Sequence, residues 1–259
     1  MFQQNELKKR VSENQPSLGM WISLAEPTIA EIAGHAGYDF VIIDLEHGMA
    51  DMKEAVTMLR TLAAYDTTAM VRVPGHDPDF LKRILDVGAQ TLMVPMVETP
   101  DQARAIVSAC RYPPSGRRGY AAPGVRASGF GKTVDYVEKA ADELFIALQI
   151  ESVQGVENAA EIAAVDGVDM IFIGAADLSG DMGMLAQTSR PEVVEQITKC
   201  VAAVKSVGKS MGTIPRANRS NIELIEDGFV VVTGSVDVAV LRNAANEEVR
   251  VFAERGKSV

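Results

Sequence analysis

The 259-residue sequence is poor in cysteine, in aromatic residues and in long apolar runs. Its two cysteines, Cys110 and Cys200, lie far apart and match neither a zinc-site spacing nor a disulfide framework. No apolar run approaches the roughly 20 residues that cross a bilayer. The formal net charge of −10 disfavours nucleic acid and anionic membranes as partners. Together with a polar first segment that lacks a signal-peptide core, this composition predicts a soluble, cytoplasmic protein.

Apolar strand-like runs alternate with helical periodicity from one end of the chain to the other. Runs that are nearly continuous in Val, Ile, Leu and Met are typical of parallel strands covered on both faces. The predicted strands are 18–24, 38–44, 68–73, 91–97, 144–151, 168–174, 210–214 and 229–235. Eight such strand–helix units predict a single α/β domain, a (β/α)8 TIM barrel over residues 1–259. A doubly wound open sheet is the alternative, but no G-x-G-x-x-G follows the first strand and no Walker pattern occurs.

Polar side chains collect at the carboxyl ends of the predicted strands, where TIM barrels carry their active sites. Glu151 and Asp177 end adjacent strands, and two neighbouring carboxylates repel each other unless a cation lies between them. Hard oxygen ligands of this kind suit Mg²⁺ or Mn²⁺. Arg72 lies within an apolar strand, where it needs an anionic partner. His47 is the only histidine at a strand end, and imidazole is a suitable base near neutral pH.

These residues also have structural interpretations. Asp44 could merely orient a neighbouring loop, and Arg72 could form a structural pair with Asp44 or Glu151. Glu46 is interpreted as structural, because it is placed outside the inward phase of its strand. Structural roles are also predicted for Glu98, as part of a helix cap, and for His35 and His76.

The positions of the lysines argue against one class of aldolase chemistry. Barrel aldolases that form a Schiff base need a lysine embedded in a strand. Here the lysines fall in predicted helices and loops, and Lys209 lies at the wrong end of its strand. This pattern favours metal-assisted chemistry.

The chain resembles the metal-dependent class II pyruvate aldolases, the family of 4-hydroxy-2-oxo-heptane-1,7-dioate and 2-keto-3-deoxy-sugar-acid aldolases. The resemblance rests on FVIIDLEHG, MVRVP, LDVGAQTLMVPMVET, RYPPSGRRG, LQIES, GVDMIFIGAADLSGDMG and VVTGSVDVAVL, which span nearly the whole chain in order. It implies a lyase that reversibly cleaves a 4-hydroxy-2-oxo acid to pyruvate and an aldehyde, through a metal-stabilised pyruvate enolate.

The resemblance also implies roles for individual residues. Glu151 and Asp177 would bind the divalent cation, Mg²⁺, Mn²⁺ or Co²⁺. Arg72 would bind the keto oxygen, and His47, oriented by Asp44, would act as the acid and base. The substrate would further be held by Gln149, Gly174, Ala175 and Ala176, with backbone N–H groups binding its carboxylate. Asp86 would reach the site of a neighbouring subunit, in a hexamer, a trimer of dimers, whose subunits exchange their last helix.

Three positions depart from the family pattern. Ala175 replaces a proline, Gly129 replaces an arginine, and Arg190 stands where a histidine is common. We expect all three near the mouth of the barrel, where they would affect the acceptor aldehyde. An acyl-CoA lyase of the malyl or citramalyl type is the alternative function, with Arg117, Arg118 and Arg126 as the candidate basic platform for its nucleotide. A non-catalytic binding barrel is the third hypothesis.

Overall fold

A computed structural model describes residues 2–216 and 219–255. Eight parallel strands close into a barrel, each pairing with the next in sequence and the eighth pairing with the first. This topology confirms the predicted (β/α)8 barrel. The strands are β1 (Ser17–Ile22), β2 (Phe40–Asp44), β3 (Thr68–Arg72), β4 (Thr91–Val94), β5 (Phe145–Ile150), β6 (Met170–Ile173), β7 (Ser210–Thr213) and β8 (Val231–Val236).

Helices connect the strands around the outside of the barrel. Asp51 with Glu54, and Thr99 with Gln102, form capping boxes that start two of them. The helices are α1 (Glu6–Ser12), α2 (Pro27–Ala36), α3 (Met52–Leu62), α4 (Pro78–Asp86), α5 (Pro100–Cys110), α6 (Tyr136–Lys139), α7 (Val153–Glu157), α8 (Ala159–Ala163), α9 (Ala175–Asp181), α10 (Pro191–Ser206), α11 (Asn221–Glu226) and α12 (Asp237–Arg255). None of those in the described ranges is long and apolar enough to span a bilayer.

Alternate positions of the strands fill the barrel interior. Phe40 and Ile42 on β2 share an apolar cluster with Phe145 on β5. The same cluster includes Leu7 and Val11 of α1, which therefore closes the amino-terminal end of the barrel. The sequence pattern did not predict this helix. The intervening strand positions form a second cluster, which packs against the surrounding helices and buries the strands on both faces.

The segment between α5 and β5 lies at the amino-terminal end of the barrel. Arg126 donates from Nη1 to the carbonyl oxygen of Val87, just after α4 (2.8 Å). Gly129 has a φ of 65°, in the left-handed region that favours glycine. The expectation that Gly129 lies near the mouth is therefore wrong. A connection that follows a helix returns to the amino-terminal ends of the strands, opposite the predicted site.

Candidate active site at the carboxyl ends of the strands

The inward-facing positions of the strands change from apolar to polar at their carboxyl ends. Asp44 continues the series of Phe40 and Ile42, and Gln149 continues that of Phe145. Arg72 ends β3 directly opposite Asp44 in the strand register. The side chains of Asp44, Arg72, Gln149 and Glu151 are all buried. The barrel thus carries a ring of polar groups above an apolar floor.

Asp44 and Arg72 form a buried, bidentate ion pair. Arg72 donates from Nε to Asp44 Oδ1 (2.9 Å) and from Nη2 to Oδ2 (2.7 Å). Burial by itself raises the pKa of Asp44, but the hydrogen bond and the charge of Arg72 hold it below its ordinary value. The pairing of Arg72 with Asp44, one of the structural alternatives from the sequence, is therefore present. This ion pair leaves the N–H groups of Nη1 and one of those of Nη2 for further contacts.

Asp44 also organises the turn that follows β2. Its Oδ1 accepts hydrogen bonds from the backbone N–H groups of Glu46 (3.1 Å) and His47 (3.2 Å). The contact of Asp44 with His47 is thus to the backbone, whereas the family resemblance implied orientation of the imidazole. The side chain of His47 is exposed at the mouth of the barrel. This arrangement leaves the ring accessible from the site.

Glu46 lies in the site, although the sequence analysis interpreted it as structural. Its Oε2 is 2.9 Å from Nη1 of Arg72, and this buried oxygen has no hydrogen-bond partner in the structure. Burial raises the pKa of Glu46, although Arg72 opposes the shift. The signal that could have identified it is parity, because positions 40, 42, 44 and 46 share one phase.

Trp21 covers one face of the same guanidinium. The ring centroid of Trp21 lies 4.4 Å from Cζ of Arg72, within the range of a cation–π contact. The indole also packs edge-on against Phe172, at 6.3 Å between ring centroids. Trp21 was not among the site residues predicted from the sequence.

Glu151 and Asp177 meet at the ends of β5 and β6. Glu151 is buried and accepts a hydrogen bond from the backbone N–H of Met96 (3.3 Å). A β-carbon at Gly174 would lie 2.8 Å from Cγ and Oε2 of Glu151, so glycine leaves the room that this carboxylate occupies. Burial, and next the neighbouring carboxyl group of Asp177, raise the pKa of Glu151 to about 8.

This pair of carboxylates fits a divalent cation. Asp44, Glu46, Glu151 and Asp177 bring four carboxyl groups to one end of the barrel, where Arg72 supplies one positive charge. Hard oxygen donors of this kind suit Mg²⁺ or Mn²⁺. Within residues 2–216 and 219–255, no group of three or more His, Cys, Asp or Glu could hold a metal ion. A cation on Glu151 and Asp177 would therefore keep coordination positions for substrate and water.

The remaining predicted substrate contacts lie beside these carboxylates. Gln149 is buried, and its Oε1 has no hydrogen-bond partner in the structure. Helix α9 begins at Ala175 with Gly174 as its N-cap, and no side chain caps it. Ala176 is exposed in the first turn, whereas Ala175 is buried. These positions offer an amide side chain and uncapped backbone N–H groups on one side of the carboxylate pair Glu151 and Asp177.

Asp86 does not join this cluster within its own chain. It ends α4 at the amino-terminal end of the barrel and accepts a hydrogen bond from Nη2 of Arg118 (2.6 Å). Arg118 is buried, with its guanidinium 4.5 Å from the ring of Tyr112. A contribution of Asp86 to the active site of a neighbouring subunit stays a prediction. The buried Arg118 does not present the basic platform that an acyl-CoA nucleotide would need.

The other two histidines, and Arg190 where the family pattern commonly has a histidine, have local partners. Nε2 of His76 is 2.6 Å from the carbonyl oxygen of Pro95, and the ring of His35 packs against Tyr65. Arg190 is the N-cap residue of α10 and pairs with Glu192 (3.3 Å). The contacts of His76 and His35 agree with the structural roles expected for them.

Comparisons with known proteins match the chain over nearly its full length. A family model described as HpcH/HpaI aldolase/citrate lyase matches residues 17–244. A hydroxypyruvate/pyruvate aldolase of Deinococcus radiodurans is 39% identical over 253 residues, covering 98% of this chain and 91% of that protein. A 4-hydroxy-2-oxovalerate aldolase of Novosphingobium aromaticivorans is 40% identical over 252 residues, covering 97% and 95%.

A solved structure shows the same fold at similar identity. The HpcH/HpaI aldolase/citrate lyase family protein of Burkholderia cenocepacia superposes with a TM-score of 0.92 at 37% identity, over 96% of this chain and 99% of that one. These matches confirm the predicted relationship to the pyruvate aldolases and do not favour the acyl-CoA alternative. The chain belongs to the HpcH/HpaI aldolase/citrate lyase family and is a carbon–carbon lyase of the aldolase type.

Proposed function

We propose that this chain is a divalent-metal-dependent aldolase that reversibly cleaves a 4-hydroxy-2-oxo acid to a pyruvate-type 2-oxo acid and an aldehyde. The observation that carries the proposal is that two chemical features occur together at the carboxyl end of the barrel. It has a pair of carboxylates, Glu151 and Asp177, that suits a cation, and a guanidinium, Arg72, fixed beside them. The names of the relatives from Deinococcus and Novosphingobium support the same reaction class.

Glu151 and Asp177 would hold Mg²⁺, Mn²⁺ or Co²⁺. When bound there, such a cation would supply Lewis-acid polarisation of the carbonyl group of a 2-oxo acid. The backbone N–H groups at Ala175 and Ala176, with Gly174 before them, would hold the substrate carboxylate. Oε1 of Gln149, which is unpaired in the structure, would accept a hydrogen bond from a hydroxyl group of the substrate.

Arg72 would stabilise the negative charge that forms in the reaction, and His47 would transfer the proton. Removal of a methyl proton from pyruvate places negative charge on the keto oxygen, and Arg72 would stabilise that charge more in the transition state than in the ground state. His47, exposed at the mouth, would move the proton, directly or through a water molecule. The same enolate can add to an aldehyde, or be released by cleavage of the aldol.

The test is an aldol panel with defined metal content. Purified enzyme is stripped with a chelator and assayed with pyruvate or hydroxypyruvate as donor. The acceptors are acetaldehyde, glycolaldehyde, lactaldehyde, succinate semialdehyde and tartronate semialdehyde. We expect product only after Mg²⁺, Mn²⁺ or Co²⁺ is restored. Full activity of the stripped enzyme would contradict the metal assignment, and no product with any pair would contradict the reaction.

We also propose that the last helix packs on a neighbouring copy, within a hexamer. Only Asp237 of the 19 residues of α12 is buried. Leu241 and Phe252 are 64% and 80% exposed, which is unusual for large apolar side chains on a helix. A neighbouring copy that covers this helix would bury them. In such an assembly Asp86 would serve the site of another subunit.

We place the enzyme in the cytoplasm. Both cysteines are buried free thiols, Cys110 and Cys200. Unpaired cysteines suit a reducing compartment. As partners we expect small-molecule substrates and further copies of the chain.

A further inference from the structure

Arg72 is held on three sides by side chains from β1 and from the end of β2. Asp44 binds Nε and Nη2, and the indole of Trp21 covers one face of the guanidinium at 4.4 Å. Glu46 approaches from a third direction, with Oε2 2.9 Å from Nη1. We call these three residues, Asp44, Glu46 and Trp21, the arginine clamp.

Glu46 is the member of the clamp whose presence local structure does not explain. Its buried Oε2 has an ion pair with Nη1 of Arg72 in place of a hydrogen bond, so the burial of this carboxylate oxygen depends on the guanidinium. Glu46 is also not part of a three-carboxylate metal site, since no such group occurs in the described part of the chain. Its one close charged contact is the guanidinium.

We propose that Glu46 is a positioning residue that fixes the orientation of Arg72 toward the reacting oxygen. Asp44 alone binds the edge of the guanidinium formed by Nε and Nη2, so Nη1 is free to shift with any movement of the whole planar group. The negative charge of Glu46 beside Nη1 removes that freedom and directs the free N–H groups of Arg72 into the site. The inference rests on the proposed function, because it concerns how Arg72 meets the keto oxygen.

The role predicts a separation between turnover and binding. An arginine that acts on developing charge contributes mainly in the transition state, so its misplacement lowers kcat. Loss of the Glu46 charge also removes repulsion toward an anionic substrate, so KM should not rise. A misplacement of about 1 Å can cost on the order of a hundredfold in rate.

The chain contains a built-in reporter of the guanidinium. Trp21 is the only tryptophan in the sequence, and it lies against Arg72. Its fluorescence can be recorded without substrate, metal or turnover. Arg72→Ala defines the spectrum of the indole when the guanidinium is removed.

The experiment compares Glu46→Gln with the wild-type enzyme, with Glu98→Gln as the matched control on the same rim. Deuterium exchange into the methyl group of pyruvate is measured by NMR in a buffer that contains Mg²⁺ and no Mn²⁺. The fluorescence emission of Trp21 is recorded on the same samples. We expect Glu46→Gln to lose roughly tenfold or more in exchange rate without a higher KM, and to shift emission toward that of Arg72→Ala. Glu98→Gln should match the wild type in both.

Each outcome decides the proposal. Exchange and emission of Glu46→Gln equal to the wild type would overturn it, as would a higher KM at unchanged kcat. Glu46→Asp, which keeps the charge, should recover part of the loss and covers the case in which Glu46→Gln does not fold. No recovery would mean that the charge is not what matters. If the wild type shows no exchange but Glu46→Gln still shifts emission, the proposed reaction fails, while the contact by which Glu46 fixes the guanidinium of Arg72 is supported.

Discussion

The side chain of Glu151 occupies the space that a β-carbon at Gly174 would need. The distances of 2.8 Å to Cγ and Oε2 and 2.9 Å to Cδ are shorter than ordinary contacts allow. The backbone of Gly174 has a φ of −92°, which any residue can adopt. The glycine is therefore required by the carboxylate and not by the backbone.

Gly174→Ala should weaken metal binding while leaving the barrel folded. Displacement of Glu151 would disturb one of the two proposed protein ligands, and changes around metal ligands typically cost 10- to 100-fold in affinity. Titration calorimetry with Mn²⁺ measures this loss. Gly180→Ala is the matched control, because its β-carbon meets only Cδ1 of Leu185, at 3.2 Å. Equal Mn²⁺ affinity in Gly174→Ala and the wild type would show that Glu151 is not a ligand.

The Asp44–Arg72 pair should make stability depend on pH in the acid range. Because Arg72 lowers the folded-state pKa of Asp44, the pair contributes stability above the unfolded value of about 3.9. That contribution is lost as the pH falls through the lower folded value. Asp44→Asn should therefore cost about 3 kcal/mol at neutral pH, since it removes one partner of a buried pair.

Urea unfolding at pH 7 and below pH 4 tests this expectation. The difference between the wild type and Asp44→Asn should shrink at the lower pH. Asp101→Asn, in an exposed pair with Arg104, should change stability little at either pH. A difference that is the same at both pH values would mean that the ionised carboxylate of Asp44 is not what stabilises the fold.

At the scale of elements, the strands could be predicted because burial on both faces makes them continuous apolar runs. Helix α1 could not be predicted in this way, because only Leu7 and Val11 of its polar segment join the apolar core. The parity of β2 predicts inward positions for Asp44 and Glu46 alike, yet the strand ends at Asp44. The position of Glu46 then depends on the turn that Asp44 organises, and that turn is a tertiary feature.

Asp237 joins the start of α12 to the end of β1. Its buried carboxylate accepts hydrogen bonds from the backbone N–H groups of Ser23 (3.1 Å), Leu24 (2.9 Å) and Val238 (2.7 Å). Asp237→Ala leaves these donors without that acceptor, which should cost about 2 kcal/mol. Hydrogen exchange should become faster at Ser23 and Leu24 and stay unchanged in the core of β5. Unchanged protection at Ser23 would contradict this anchoring role.

At the scale of the whole molecule, the two ends of the barrel have different partners. The carboxyl end gathers the carboxylates and Arg72, which suit a cation and a small anion. The amino-terminal end carries Asp86, held by Arg118 (2.6 Å), away from the site of its own chain. A role for Asp86 in catalysis would therefore need a second copy of the chain, so oligomerisation and activity would be linked.

The exposed apolar face of α12 gives the sharpest test of that link. Leu241→Glu and Phe252→Glu place charges on the helix that we expect a neighbouring copy to cover, so both should lower the mass measured by light scattering. Val134→Glu is the matched control, because Val134 is 93% exposed in a loop and apolar as well. Loss of mass should be accompanied by loss of aldol activity if another subunit completes the site. A wild-type monomer, or an unchanged mass in both variants, would contradict the exchange of the last helix.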